Sequence, residues 1–111
     1  MNKIIIIPDS FKGSASSLEV AECIERGVLK AVKDVVIKKI PIADGGEGTV
    51  ESVIYAAGGE FIRVDVKNPL GKTVNAKYGL INKSQAVIEM AEASGITLVS
   101  EKERNPLKSS T

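Results

Sequence analysis

The spacing of hydrophobic positions changes several times along the chain, and each change marks an element. Residues 4–7 are four consecutive isoleucines closed by Pro8. Such a run predicts a strand buried on both faces, with helices around it. Leu18, Ala21, Ile24, Val28, Ala31 and Val32 then step by three and four, with Ser16 and Glu19 in capping-box spacing just ahead. This predicts a helix of about four turns. Gly27 inside it costs about 1 kcal/mol relative to alanine, which fits either close packing against a neighbour or tolerated slack. Residues 35–40 form a second strand pattern ended by Pro41. A glycine-rich turn leads from there into Val50, Val53, Ile54 and Ala57, a shorter helix stopped by Gly58 and Gly59. The first half thus reads β-α-β-α, the opening of a parallel α/β sheet.

From residue 60 the rhythm becomes that of consecutive strands. Phe61, Val64 and Val66 form one, Asn68-Pro69-Leu70-Gly71 a turn, residues 73–81 a second strand, and residues 86–90 a third that completes a meander. Residues 91–94 either begin a short helix or simply turn at Gly95. The switch near residue 59 predicts a boundary between an α/β unit, 1–58, and a β-rich unit, 59–111. Residues 101–111 are polar and read as a loop approaching another element, as though the chain were cut rather than finished.

Composition narrows the chemistry. With 111 residues, 43% hydrophobic and 26% charged, the chain is an ordinary folding sequence of one domain or less. Its net charge of +1 supplies no field for holding nucleic acid or a membrane surface, and four aromatic side chains offer little for base stacking. The amino-terminal apolar run is too short for a signal peptide or a membrane span, so a cytoplasmic location is expected. One cysteine, Cys23, and no histidine exclude an internal disulfide, a Cys/His metal site and a His-activated nucleophile. Cys23 reads as a small core or rim residue, and Lys102, Arg104 and Lys108 as a solvated basic face. Nothing in the sequence sets an oligomeric state.

In a parallel α/β sheet, ligands gather where loops leave the carboxyl ends of the strands, because helix amino termini present unpaired N–H groups there. Two loops qualify, and both should open on the same side. Pro8-Asp9-Ser10-Phe11-Lys12-Gly13-Ser14 combines a carboxylate, hydroxyls, a cation and a flexible glycine. Ala43-Asp44-Gly45-Gly46-Glu47-Gly48-Thr49 packs three glycines and two acids into seven residues. Neither is a Walker A loop. Asp44 and Glu47 would repel a bare phosphate unless Mg2+ or a neutral hydroxyl intervened, whereas the glycine amides could take an anion. This combination fits phosphoryl transfer, which needs alignment and charge neutralisation more than covalent help. Plain alternatives exist for each residue. Asp44 and Glu47 have capping-box spacing, so helix capping accounts for both without a ligand. Lys12 in a loop reads first as a solvated cation rather than a phosphate ligand, and Glu89 faces either solvent or a ligand.

These blocks, followed in order by Asn68-Pro69-Leu70-Gly71, Ile88-Glu89-Met90-Ala91 with Ser94-Gly95, and Arg104-Asn105-Pro106-Leu107, resemble the signature segments of the bacterial glycerate kinase family. The resemblance runs over the whole chain. It implies transfer of the ATP γ-phosphoryl group to a hydroxyl of D-glycerate, with ATP and Mg2+ as cofactors. It also implies a flavodoxin-like or Rossmann-like domain with a second domain inserted into it. Roles carried over by position make Asp44 the base or metal-linked acid and Lys12 the charge stabiliser. Asp9 and Ser10 become substrate contacts, the Gly45 and Gly46 amides a phosphate cradle, and Ser14, Glu47, Thr49 and Glu89 the rest of the substrate-facing set. Family members are longer than this chain, so the opposing expectation is a non-catalytic truncated piece that at most binds an anion or a partner.

Overall fold

The computed structural model of the chain describes residues 1–110. Strand β1 (Asn2–Ile6) pairs in parallel with β2 (Val35–Lys39), and helix α1 (Ser17–Ala31) connects them. Helix α2 (Thr49–Ala57) leads into an antiparallel meander of β3 (Glu60–Lys67), β4 (Thr73–Ile81) and β5 (Gln85–Val87). A one-turn helix α3 (Ala91–Ser94) and short 3-10 turns at Ile96–Leu98 and Glu101–Glu103 follow. The class is therefore mixed α/β, with one parallel and one antiparallel sheet. A radius of gyration of 17.2 Å and extents of 56 × 36 × 17 Å describe a flat slab. A compact domain of this length would have a radius near 13 Å, so the two sheets lie side by side rather than around one core.

Helix α1 starts where the sequence places it. The Ser16 hydroxyl accepts from the Glu19 amide at 3.3 Å, and the Glu19 carboxylate accepts from the Ser16 amide at 2.8 Å. Gly27 packs against nothing, since an added Cβ would meet open space, so slack is the correct reading. Cys23 is exposed rather than in the core, with its Sγ 2.9 Å from an Arg26 guanidinium nitrogen.

The first strand departs from expectation. It is not buried on both faces: Ile6 is buried, but Ile5 is 51% exposed. In the parallel register Lys3 lies beside Val36 and Ile5 beside Lys38, so these four residues share the face away from Ile6 and Lys39. Helix α1 contacts both strands, and a two-stranded sheet leaves its other face open.

The second half is better tied together. Asn68 is buried and closes the β3–β4 turn, its side-chain oxygen accepting from the amides of Leu70 and Lys72 at 3.0 and 2.9 Å. Gly71 completes that turn with φ 74°, a backbone conformation that disfavours residues with a Cβ. The polar segment after residue 100 folds back, with the Ser110 amide donating to the Pro69 carbonyl at 3.0 Å. The third strand is shorter than the 86–90 pattern, because residues 88–90 leave the ladder and turn towards α2. Residues 91–94 do form a helical turn, with the Gly95 amide donating to the Ala91 carbonyl.

Helix α2 rests on β4, with Val50 and Ile54 against Gly79. The change of sheet at Gly58 and Gly59 is thus not a change of packing partner, for the helix before the boundary lies on the sheet after it. Ser17 and Ser52, both buried, share a hydrogen bond at 3.2 Å that fastens the start of α1 to α2.

Candidate functional site

The two loops singled out by composition leave the same end of the parallel pair and meet. Lys12 Nζ lies 3.8 Å from Asp44 Oδ2, with both side chains well exposed, 80% and 58%. Pairing at that exposure contributes little to stability. What it shows is that a cation and a carboxylate contributed by different loops lie side by side.

Asp44 is held by its own turn as well. Its Oδ1 accepts from the Gly46 amide at 2.9 Å, and Thr49 Oγ1 donates to the Gly46 carbonyl at 2.7 Å. The Gly46 amide, followed by the Lys12 ammonium, holds the Asp44 carboxyl below the ordinary aspartate range. Asp44 is therefore a persistent anion and a weaker base than an ordinary aspartate. The Gly46 amide expected in a phosphate cradle already serves Asp44. Gly45 (φ 95°) and Gly48 (φ 88°) take the left-handed conformation that the turn needs.

The capping expectation for Asp44 and Glu47 does not hold. The residue preceding α2 is Gly48, which has no side-chain cap of its own. The two amides there, Gly48 and Val50, instead donate to the two oxygens of Glu89, each at 3.1 Å. Glu89 is 4% exposed, so it faces neither solvent nor the cleft. The structure replaces a local cap by a carboxylate some forty residues away. The sequence did carry a signal, an acid alone in the apolar run 86–90, because a buried carboxylate needs strong donors.

A cleft of about 650 Å³ opens beside the Lys12–Asp44 pair, bounded by residues 10–19, α2, Phe61 and Glu92. Its size lies within the range of small-ligand sites. Ser10, Lys12, Ser14 and Glu47 line it, while Asp9, Asp44, Gly45, Gly46, Thr49 and Glu89 are not on its wall. Asp9 turns back onto the amide of Ser10 at 2.7 Å. Behind the wall residues Glu51, Phe61 and Glu92, Lys77, its side chain 17% exposed, is bonded to Glu51, lies 3.8 Å from Glu92 and sits 5.3 Å from the Phe61 ring centroid. Composition gave no hint of this ion cluster, because its members are spread over four elements.

Among the described residues no group of three or more His, Cys, Asp or Glu is placed to hold a metal ion. Mg2+ commonly uses one or two carboxylates and completes its shell with water and substrate phosphates. An exposed, persistently charged Asp44 fits that mode. Among the described residues no helix is long and apolar enough to cross a membrane.

Comparison with known proteins gives a consistent result. A model of the glycerate kinase family matches residues 4–111. Glycerate kinase of Halalkalibacterium halodurans is 51% identical over 112 residues, covering 100% of this chain and 30% of that protein. Glycerate 2-kinase of Escherichia coli is 47% identical over 106 residues, covering 95% and 28%. A crystal structure carrying the name glycerate kinase 2, from Salmonella typhimurium, superposes with a TM-score of 0.76 at 49% identity, over 99% of this chain and 30% of that one. The chain thus spans about 30% of the length of the relatives it matches.

Proposed function

From the premise that this chain belongs to the glycerate kinase family, we propose that it supplies one wall of the active site of an ATP-dependent kinase acting on D-glycerate. The single observation that carries the reading is the meeting of Lys12 and Asp44, 3.8 Å apart, beside a cleft sized for a small ligand. In the reaction a glycerate hydroxyl oxygen attacks the γ-phosphorus, the bond from that phosphorus to the bridging oxygen breaks, and ADP leaves. The hydroxyl proton passes to a nearby base or to water. Lys12 would balance charge on the transferring group, with Ser10 and Ser14 donating to phosphate or substrate oxygens. Asp9, Glu47 and Thr49 remain proposed substrate contacts, as does the amide of Gly45, whereas the Gly46 amide is taken by Asp44. Bound Mg2+ would neutralise phosphate charge, and Asp44 is the residue that would hold it. The low proton affinity of Asp44 favours that part over general-base work.

The division at residue 59 belongs to the same proposal, with the antiparallel sheet as the start of a second, inserted domain. A cytoplasmic setting is proposed with it, since ATP and glycerate are found there. The test is a coupled ADP-release assay on the full-length protein that carries this chain, comparing D-glycerate with other hydroxy acids. Glycerate should be preferred, and Asp44→Asn should lower turnover by about two orders of magnitude or more. Equal rates for unrelated hydroxy acids would end the substrate assignment, and near-normal turnover in Asp44→Asn would remove that residue from the mechanism.

A second reading concerns the 111 residues by themselves. Half-exposed Ile5, Ile7 and Ile42 and a strand pair open on one face favour a piece without turnover of its own. Glycerate-dependent ADP release by this chain alone would refute that reading.

A further inference from the structure

Glu89 is the most deeply buried charged side chain among the described residues, at 4% exposure. An ionised carboxylate survives burial only with strong donors. Both of its oxygens find them at the start of α2, where Gly48 and Val50 belong to the four amides that a helix leaves without an internal partner. The positive end of the helix dipole adds to the attraction. Val50 is fully buried, so water cannot replace Glu89 at that amide. Immediately upstream, Gly48 is held in the left-handed region and Gly46 is bonded to both Thr49 and Asp44. The hydrogen-bonded path therefore runs from Glu89, just after β5, through the start of α2 to Asp44, which pairs with Lys12 at 3.8 Å.

We infer that Glu89 is a positioning residue rather than a substrate contact: it fixes the 44–48 loop so that Asp44 faces Lys12, and it fills the helix end where a phosphate would otherwise bind. The consequence for catalysis rests on the kinase reading above, whereas the consequence for geometry does not. A phosphate at the start of α2 would have to expel a buried carboxylate. Nucleotide phosphates are thereby confined to the side of the cleft bearing Ser10, Lys12 and Ser14.

The test uses the full-length protein that carries this chain. Glu89→Gln keeps the volume but offers one acceptor oxygen in place of two, so one amide loses its partner. The loop is followed by scalar coupling across the hydrogen bond from the Gly46 amide nitrogen to the Asp44 carboxyl carbon. In a folded Glu89→Gln protein this coupling should be lost or markedly weakened. With it kcat should fall about tenfold or more, while KM for ATP changes by less than about threefold. An unchanged coupling in a folded Glu89→Gln protein overturns the inference. If that variant fails to fold, the unmutated protein decides, by scalar coupling across the hydrogen bond from the Gly48 amide nitrogen to the Glu89 carboxyl carbon. Its presence supports the assignment and its absence refutes it. Added tripolyphosphate should shift the amides of residues 10–14 and spare Gly48 and Val50, and the opposite pattern would overturn the confinement. A weakened Gly46–Asp44 coupling in a protein that phosphorylates no glycerate keeps the positioning role and removes the kinase reading. Turnover of glycerate with an unchanged coupling does the reverse.

Discussion

The seat of α2 on β4 leaves no room for a methyl group at Gly79, and this can be tested with a mutant cycle. An alanine Cβ at position 79 would lie 2.7 Å from both Cγ1 and Cδ1 of Ile54 and 3.3 Å from Cγ1 of Val50. Carbon pairs are comfortable at about 3.5–4.0 Å, so Ile54 would have to retreat by about 1 Å. There is little space to retreat into, since Ile54 is 8% exposed and Val50 0%. Overpacking of this kind costs about 1–3 kcal/mol. Alanine recovers about 0.5–1 kcal/mol by being less flexible than glycine in a strand, so Gly79→Ala should lose about 1–2 kcal/mol net. Ile54→Ala alone should lose about 2–5 kcal/mol, from lost burial and the cavity left behind. In the double variant the new methyl enters the space vacated by Ile54. Its loss should fall short of the sum by about 1 kcal/mol or more. Urea unfolding of the four proteins, followed by far-ultraviolet circular dichroism, gives each value. Losses that add to within about 0.5 kcal/mol would refute the close approach at Gly79.

Two further outcomes are expected at the site's edges. Ser16→Ala should destabilise the chain by about 1 kcal/mol through loss of the helix cap. The Ser16 amide and hydroxyl hold the Glu19 carboxyl below its ordinary value. Part of the Ser16 contribution is therefore present above the ordinary glutamate range and lost as pH falls through the lowered value. A stability gap between wild type and Ser16→Ala that does not narrow in acid would contradict this. Lys12→Met should raise the Asp44 titration midpoint, read by carboxyl carbon-13 shifts, but only part of the way, because the Gly46 amide is the larger cause of its depression. A full return to an ordinary value would show that the ammonium, not the amide, holds Asp44.

Most local chemistry was legible in the sequence, with the Asp44–Glu47 capping box an exception, and most distant pairing was not. The capping box at Ser16 and Glu19, the turn at Asn68 to Gly71 and the stop at Gly58 each depend on residues a few positions apart, and each is in place. The meeting of Lys12 and Asp44 was legible from topology, because successive loops of a parallel pair open at one end. Burial of residues 4–7 was misread because an isoleucine run reports the burial that a strand seeks, not the neighbours it has. Glu89 was misplaced for a related reason. An acid alone in an apolar run says that the residue needs a partner or water, but not that a helix end waits beside it. Likewise nothing in the composition of residues 49–57 says which sheet they will lie on.

The carboxylate at the head of α2 also sets a clock for isotope exchange. Amides in the first turn of a helix ordinarily trade hydrogen for deuterium quickly, because fraying of that turn is enough to expose them. The Gly48 and Val50 amides are instead sealed by a carboxylate from the segment that follows β5. Their exchange counts the occasions on which Glu89 lets go of the head of α2, and so times the release of that helix end in the absence of any ligand.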